Sequence, residues 1–353
     1  MAIKLGIVGC GYGRQVLAPA FRQDARCKIV GIAAMNVAHA RSVASEFGTA
    51  IAFPDWQSLV RDESIDAVAV ATPPAIQPEI MLGALDNRKA VFAEKPMALN
   101  VAQAEQLVTR VAESPQANMI DFNFTEISSW QKARQLIEQR AIGDIQHAAV
   151  HWYVENYTNR MHLTNWKASR ENGGGTLLNF ASHCMYYLEW FLGPVIGLGC
   201  KLFRMPGDER SGDSTDAMCF CFRSGAAASV SISSAAYLGP GHRLEFYGRD
   251  GTLVLENTST DYMKGFTLLM GRRPDTALKP VLFEDPEEIL YDDGRILPAS
   301  RLARRFLDWI EMGIPARPDF RDGLRVQKLL DAALRSDQTG QWMGIRDSSA
   351  EQR

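Results

Sequence analysis

A glycine-rich turn near the start of the chain constrains its fold more than any other feature. The apolar run Lys4–Val8 has strand length, and the segment Gly9-Cys10-Gly11-Tyr12-Gly13-Arg14 follows it directly. Glycines between a strand and a helix let a pyrophosphate approach the backbone and bind unpaired N–H groups at the helix N-terminus. The usual spacing is GxGxxG, and here Arg14 takes the place of the third glycine, which comes one residue early. The turn predicts dinucleotide binding by Gly9, Gly11, Tyr12, Gly13 and Arg14.

Apolar runs of strand length recur through the first 120 residues, and helix-like stretches separate most of them. After Lys4–Val8 they lie at Ile29–Ala33, Ala67–Ala71, Ala90–Ala93 and Met119–Phe122. Continuous apolar runs joined by helices indicate strands that are covered on both faces, as in a doubly wound parallel sheet. We therefore predict an α/β domain of the Rossmann type over residues 1–122.

The pattern changes after about residue 122. A helix-like stretch over 128–140 precedes an alternating strand at Ile145–Tyr153, and further strands are predicted at 195–204, 216–223, 226–237, 243–248 and 252–256. We expect residues 123–353 to form an α+β substrate domain around a large open, mainly antiparallel sheet, with its helices in 301–336 packing back near the N-terminal domain. The strand at 226–237 is small and uncharged, which suits a face covered by another subunit or by the domain's own helices. Through this sheet we predict a homodimer or homotetramer.

Composition and charge exclude several classes of protein. The 353 residues carry 38 basic and 41 acidic side chains, with no Lys/Arg block of five or more, so nucleic acid is not an expected partner. No stretch reaches about 18 consecutive apolar residues, so no membrane partner is expected. The six cysteines are scattered without a CxxC pair, which favours a reduced, cytoplasmic setting. His147 and His151 are four residues apart on a predicted strand with no nearby Cys or carboxylate cluster, so no metal site is predicted.

The end of the second strand bears on the choice between NAD and NADP. An Asp or Glu there would bind the adenosine ribose 2′-OH and repel a 2′-phosphate. This chain has Ala34-Met35-Asn36 instead, with Arg41 further along the next helix, which Asn36 can cap. Because no acidic residue excludes NADP, we favour NADP over NAD, with Asn36 and Arg41 as cofactor contacts. A solvated Arg41 on the helix surface is an equally good interpretation.

Two later motifs carry side chains suited to catalysis. Val91-Phe92-Ala93-Glu94-Lys95-Pro96 ends the strand predicted at Ala90–Ala93, and a lysine there points into the crevice where parallel sheets bind ligands, although such lysines are also commonly solvated. A second motif runs from Asn172 through three glycines to His183. Read as one helix over 176–192, it carries His183 away from the apolar side, one turn from Asn179.

These motifs, in this order, resemble the Gfo/Idh/MocA oxidoreductase family. Its members pair an N-terminal Rossmann domain with a C-terminal α/β domain around an open sheet. The resemblance runs nearly end to end and includes Ala71-Thr72-Pro73-Pro74, Ile142-Gly143-Asp144-Ile145 and Gly251-Thr252-Leu253. There are departures: Asn179 and Tyr186 stand where an Asp is common, and Gln77 stands where many members carry a His.

The resemblance implies hydride transfer between NAD(P) and a secondary hydroxyl or ketone of a sugar, inositol or related polyol. Lys95 and His183 would contact the reacting alcohol, His183 as general base and Lys95 by stabilising alkoxide charge, while Asn179 orients either the substrate or His183. Further cofactor contacts are expected at Thr72, Pro73, Gln77, Glu94 and Lys95. Further substrate contacts are expected at Tyr153, Trp166, Lys167 and Arg170.

Two other functions stay open at this point. Some members of the wider family use a retained NAD to hydrolyse glycosidic bonds by transient oxidation. A cofactor-binding sensor without catalysis is the second alternative, and the presence of both Lys95 and His183 argues against it.

Overall fold

Two β-sheets organise the chain, each in its own compact unit. The computed structural model describes residues 2–48, 51–287 and 291–345. The described residues of 1–123 and 295–327 form the first unit, and those of 124–294 and 328–353 form the second. The chain therefore leaves the first unit after residue 123 and returns to it at residue 295.

The first sheet confirms the predicted doubly wound arrangement. Its six strands pair in parallel in the order β3-β2-β1-β4-β5-β6. The strand order reverses at β1, with β2 and β3 on one side and β4, β5 and β6 on the other. Ligands of such sheets bind outside the carboxyl ends of the strands at the point where the order reverses, here between β1 and β4. The strands are β1 (Ile3–Val8), β2 (Cys27–Ala33), β3 (Ile51–Ala52), β4 (Ala67–Val70), β5 (Ala90–Ala93) and β6 (Asn118–Ile120).

The second sheet confirms the predicted mainly antiparallel architecture. Within the described residues its nine strands follow the order β14-β13-β12-β11-β7-β10-β9-β8-β15, and only the β10–β7 pair is parallel. The strand predicted at 226–237 is shorter and ends at Ser233. The strands are β7 (Ile145–Tyr153), β8 (Val195–Phe203), β9 (Thr215–Phe222), β10 (Ala227–Ser233), β11 (Gly241–Gly248), β12 (Gly251–Asn257), β13 (Thr267–Arg272), β14 (Lys279–Pro280) and β15 (Met343–Gly344).

Helices flank both sheets, and their starts follow from capping residues. Asn36 Oδ1 accepts from the N–H of Ala38 and His39, and Asn100 Oδ1 accepts from Gln103 N. The helices are α1 (Ala18–Arg22), α2 (Val37–Glu46), α3 (Trp56–Arg61), α4 (Gln77–Asp86), α5 (Val101–Glu113), α6 (Ser128–Glu138), α7 (Tyr157–Arg160), α8 (Ser182–Leu192), α9 (Ile296–Met312) and α10 (Phe320–Thr339). Single π-helical turns at Gly13–Leu17 and Leu177–Ala181 precede α1 and α8.

A cluster of three phenylalanines fixes α1 and α9 against the first sheet. Phe21, Phe92 and Phe306 are fully buried, and their rings meet edge to face at centroid distances of 5.3 to 6.2 Å. Burying each ring contributes about 2 to 3 kcal/mol. Phe92 belongs to β5, so α1 and α9 pack on the strand whose end carries Glu94 and Lys95.

Among the described residues, the structure contains no helix that is both long enough and apolar enough to cross a bilayer.

Candidate functional site

The three glycines of the first turn are required for two different reasons. Gly9 has a φ of +108°, and a Cβ there would lie 2.2 Å from the carbonyl oxygen of Ala71. A Cβ on Gly13 would lie 2.9 Å from Ile7. No atom of the described residues lies within 4 Å of the position a Cβ on Gly11 would take. The protein's own packing therefore explains two of the glycines, and the third leaves its backbone open to an approaching ligand.

The turn after β4 lies against the glycine turn and presents an unused polar atom. The methyl carbon of Thr72 lies 3.4 Å from the Cβ position of Gly9. Thr72 Oγ1 is buried and has no hydrogen-bond partner among the described residues. A buried hydroxyl without a partner beside an open backbone fits the dinucleotide that the glycine turn predicts. Pro73 O accepts from the N–H of Ile76 and Gln77 and so begins α4.

Gln77 holds the backbone of the Glu94–Lys95–Pro96 segment. Its side chain is 1% exposed, and Nε2 donates to the carbonyl oxygens of Glu94 at 2.5 Å and Pro96 at 2.9 Å. Glu94 Oε2 accepts from Lys95 N at 3.2 Å, and Glu94 N donates to Val70 O at 2.8 Å. We predicted Gln77 as a cofactor contact, and the described contacts of its amide are with this backbone. Lys95 is thereby fixed at the carboxyl end of β5, beside β4.

Tyr12 connects the glycine turn to the residues that follow β6. Its hydroxyl donates to Asp121 Oδ2 at 3.0 Å and accepts from Asn123 Nδ2 at 3.0 Å. Asp121 is fully buried, and Asn123 is 4% exposed. Sequence reasoning did not single out Asp121, because a lone Asp after a short strand is typical of a turn.

Arg14 of the glycine turn and the residues predicted at the adenosine end lie at the surface. Arg14 Nε donates to Glu46 Oε2 at 2.8 Å, and both side chains are nearly half exposed. Asn36 uses its amide oxygen to cap α2, while Met35 and Arg41 are exposed. No acidic residue stands at the end of β2, so the sequence argument about the 2′-phosphate keeps its basis.

In the second unit, each of Gly173, Gly174 and Gly175 is required by a positive φ, by a close contact or by both. Gly173 has a φ of +86° and Gly175 a φ of +98°. A Cβ on Gly174 would lie 2.4 Å from Trp166 O, and one on Gly175 would lie 2.4 Å from Asp213 Oδ1. Only glycine permits the 166–167 backbone and the Asp213 carboxylate to approach the start of the His183 helical segment so closely.

His183 lies in aromatic surroundings, contrary to the prediction. Its side chain is 8% exposed, and its ring packs edge to face on Phe124 with centroids 4.9 Å apart and more loosely on Trp152 at 6.4 Å. The prediction assumed one regular helix over 176–192. The π-helical turn Leu177–Ala181 adds about one residue per turn and so rotates the following residues relative to that assumption.

Asn179 and Asp213 organise the turn that leads to α8. Asn179 Nδ2 donates to Gly175 O at 2.8 Å, within the same helical segment. Asp213 Oδ2 accepts from Leu177 N at 2.7 Å, and Asp213 O accepts from Thr176 N at 2.9 Å. These bonds satisfy backbone N–H groups that a helix start leaves without partners.

The predicted substrate residues fall in different places. Trp166 is half-buried and Lys167 is exposed, with the Lys167 ammonium 5.8 Å from the centre of the Trp166 ring. Lys167 O accepts from Gly175 N, so this loop lies beside the start of the His183 segment. The Arg170 guanidinium is directed at the buried Asp213, with Nη2 3.9 Å from Oδ1.

Tyr153, which we predicted as a substrate contact, follows Trp152 on β7. Successive residues of a strand point to opposite faces, and Trp152 takes the face that packs on Phe180 and His183. Tyr153 therefore points to the other face, where its hydroxyl donates to Ser231 Oγ at 2.7 Å.

His147 and His151 lie on β7, and within the described ranges no group of three or more His, Cys, Asp or Glu side chains is arranged to hold a metal ion.

Comparison with known protein families matches the N-terminal and the C-terminal parts of the chain separately. Residues 3–122 match the family described as an oxidoreductase family with an NAD-binding Rossmann fold, and residues 134–345 match the C-terminal α/β domain of the same family. The chain belongs to the Gfo/Idh/MocA family. It is thus an NAD-binding oxidoreductase of that family.

Several proteins resemble the chain over nearly its whole length. An uncharacterized oxidoreductase of Synechocystis sp. is 28% identical, with 98% of this chain and 96% of the relative covered. Inositol 2-dehydrogenase of Rhizobium meliloti is 24% identical, with 95% and 97% covered. The solved structure of levoglucosan dehydrogenase with NADH and levoglucosan has a TM-score of 0.88 at 20% identity and covers 98% of this chain and 100% of that one.

The sequence analysis did not identify the aromatic residues that surround His183. Phe124 also contacts Trp130, Trp152 and His242 at centroid distances of 5.2 to 5.5 Å. His242 stacks on Trp152 at 4.2 Å, and burial lowers its pKa to about 3, so the ring is neutral. Aromatic residues scattered over the sequence carry no local signal that they meet at one point.

Proposed function

We propose that the protein transfers a hydride between a nicotinamide cofactor and a secondary hydroxyl or ketone of a sugar, inositol or related polyol. The observation that carries the proposal is the fixed position of Lys95, which lies at the end of β5 in a unit whose glycine turn is open for a dinucleotide. A protein that only bound the cofactor would not need a lysine held in this way, nor His183 on α8.

The chemistry assigns one task to each residue. When bound, the nicotinamide supplies the hydride acceptor or donor. His183 takes the proton of the substrate hydroxyl during oxidation and returns it during reduction. The Lys95 ammonium stabilises the negative charge that develops on the same oxygen. Asn179 orients the substrate or His183 as a neutral hydrogen-bonding group.

The substrate class is supported by the loop that precedes the triple glycine. The half-buried Trp166 ring offers an apolar surface to the ring of a sugar or inositol, and Lys167 offers a donor to its hydroxyls. The names of the relatives, levoglucosan dehydrogenase and inositol 2-dehydrogenase, point to the same class. Arg170 is the weaker candidate because its guanidinium is directed at Asp213.

The proposed cofactor is NADP in preference to NAD. Asn36 and Arg41 follow β2 without an acidic residue, so nothing there repels a 2′-phosphate. Arg41 is exposed on α2, where its charge favours that phosphate.

The proposed assembly is a homodimer or homotetramer formed through the second sheet. One face of β9 and β10 is buried within the unit, and the other carries small side chains, including the exposed Cys219 and Cys221. A flat face of small residues permits close approach of a second sheet.

A panel of polyols, sugars and inositols, assayed with both NAD and NADP by absorbance of the reduced nicotinamide, tests the function. We expect turnover of at least one compound and equal or better use of NADP. Reduced nicotinamide from none of the compounds would contradict the proposal. Release of a free sugar from a glycoside without net reduction would indicate hydrolysis by transient oxidation, and tight cofactor binding without any reaction would indicate a sensor.

A further inference from the structure

The amide of Gln77 holds the backbone on both sides of Lys95. Gln77 is 1% exposed, and its Nε2 donates to Glu94 O at 2.5 Å and to Pro96 O at 2.9 Å. These two carbonyls belong to the residues directly before and directly after Lys95. A carboxamide nitrogen carries two hydrogens, so each carbonyl receives one of them. One side chain therefore uses both of its donor hydrogens on the backbone that carries the lysine.

The two carbonyls also determine which way the Gln77 amide faces. Both are acceptors, so the nitrogen end of the amide must point at them. The opposite atom, Gln77 Oε1, is buried and has no hydrogen-bond partner among the described residues. Such buried polar atoms are rare in folded proteins. In the described chain, the hydrogen bonds of this amide are the two that it donates to the lysine segment.

Gln77 is in turn fixed by the turn that follows β4. It is the first residue of α4, and its backbone N–H donates to Pro73 O at 3.3 Å. At the other end of the same turn, Ala71 N donates to Val8 O at 2.8 Å, which joins the turn to the end of β1. The end of β1, this turn and the Lys95 segment are thus connected, and the Gln77 side chain makes the last of these connections.

We propose that Gln77 is the positioning residue of Lys95: its two hydrogen bonds fix the lysine segment to the turn after β4, and so fix where the ammonium is presented. The inference rests on the proposed function, in which that ammonium stabilises charge on the substrate oxygen. The lysine side chain is long and flexible, so the place of its charge depends on how firmly its backbone is held. A displacement of about 1 Å at a catalytic group can lower the rate roughly a hundredfold.

Variants at three positions separate positioning from packing. Gln77→Met keeps the length of the side chain and removes both donors, while Gln77→His keeps one N–H for one of the two carbonyls. Gln106→Met, at an exposed position of α5 in the same unit, is the matched control. Lys95→Met, alone and combined with Gln77→Met, shows whether the effect of Gln77 depends on the lysine.

The first measurement needs neither cofactor nor substrate. Hydrogen exchange followed by mass spectrometry reports how readily the backbone amides of residues 94–97 open. We expect exchange there to be roughly tenfold faster in Gln77→Met, because two hydrogen bonds are lost, and intermediate in Gln77→His. Gln106→Met should exchange like the wild type. Wild-type exchange at residues 94–97 in either folded Gln77 variant would overturn the inference.

The second measurement is a double-mutant cycle on nicotinamide reduction with the best compound of the polyol panel. We expect Gln77→Met to lower kcat roughly tenfold to a hundredfold with the Kd of NADH and NADPH unchanged, and to have no further effect in the Lys95→Met background. An equal loss of kcat in both backgrounds would refute the inference. Wild-type turnover by Lys95→Met, or turnover of no compound, contradicts the proposed function instead, and hydrogen exchange alone then decides whether Gln77 fixes the segment.

Discussion

At the scale of single residues, the first turn shows how structural and functional demands can be separated. Gly9 and Gly13 are fixed by contacts with Ala71 and Ile7, so a side chain there would displace the protein's own atoms. Gly11 is exposed and has open space around it. The packing of the described residues does not account for its lack of a side chain, which agrees with the proposed approach of a dinucleotide to the backbone.

Alanine substitutions test this separation. We expect Gly11→Ala to leave thermal unfolding unchanged and to weaken NADH and NADPH binding roughly tenfold or more, since its methyl group occupies the pyrophosphate position. Gly9→Ala should lower the free energy of unfolding by about 2 kcal/mol or more, because it combines a strained φ with a clash against backbone. Unchanged cofactor binding in Gly11→Ala would refute the functional role of that glycine.

At the scale of elements, the sequence could predict the helices and strands whose apolar residues follow a regular pattern. Buried parallel strands are continuous apolar runs, so the first sheet and the lysine at the end of β5 could be found from local pattern. The environment of His183 could not be found, because the π-helical turn before α8 changes the helical phase and no sequence signal announces it. The pattern of β7 does not say which face of the sheet covers His183, so the face on which Tyr153 lies could not be predicted either. Asp121 and Phe124 act through distant partners and carry no local signature.

Two buried carboxyl groups, those of Asp213 and Asp216, lie near the start of the His183 helical segment. Asp213 binds Leu177 N, and beside it Asp216 is fully buried. Burial, and then the charge of Asp213, raise the pKa of Asp216 well above its ordinary value of 3.8. The folded protein therefore binds a proton at Asp216 more tightly than the unfolded chain does.

This shift sets a direction for stability against pH. Because the folded pKa is raised, the unfolded chain loses the proton first, and stability falls as the pH rises from 3.8 through the folded pKa. Asp216→Asn cannot titrate, so we expect it to unfold at a higher temperature than the wild type at neutral pH and to lose this part of the pH dependence. Asp292→Asn, at an exposed carboxyl, should behave like the wild type. Thermal unfolding at several pH values measures both, and an equal pH slope in Asp216→Asn and wild type would refute the assignment.

At the scale of the whole molecule, the uncovered face of the second sheet is the feature that a single chain leaves unexplained. The inner face of β9 and β10 buries apolar side chains such as Phe220 and Ile232. The outer face keeps small or polar residues, among them Ser229 and Cys219. This composition is the basis for the proposed homo-oligomer.

A charged side chain in the middle of that face tests the assembly. We expect the wild type to be a dimer or tetramer by size-exclusion chromatography with light scattering. Cys219→Arg should shift the population toward the monomer, because it buries an unpaired charge at the interface. Ser42→Arg, on the exposed surface of α2, is the control and should leave the mass unchanged. A monomeric wild type, or an unchanged mass in Cys219→Arg, would refute an interface on this face.

We propose above that Lys95 and His183 are both catalytic residues of the hydride transfer. The most direct measurement is the rate of nicotinamide reduction by Lys95→Met and His183→Asn with the best compound of the polyol panel, alongside their Kd for the cofactor. We predict turnover at least roughly a hundredfold below the wild type in each variant, with cofactor affinity retained. Turnover close to the wild-type rate in either variant, with the cofactor bound normally, would contradict the account.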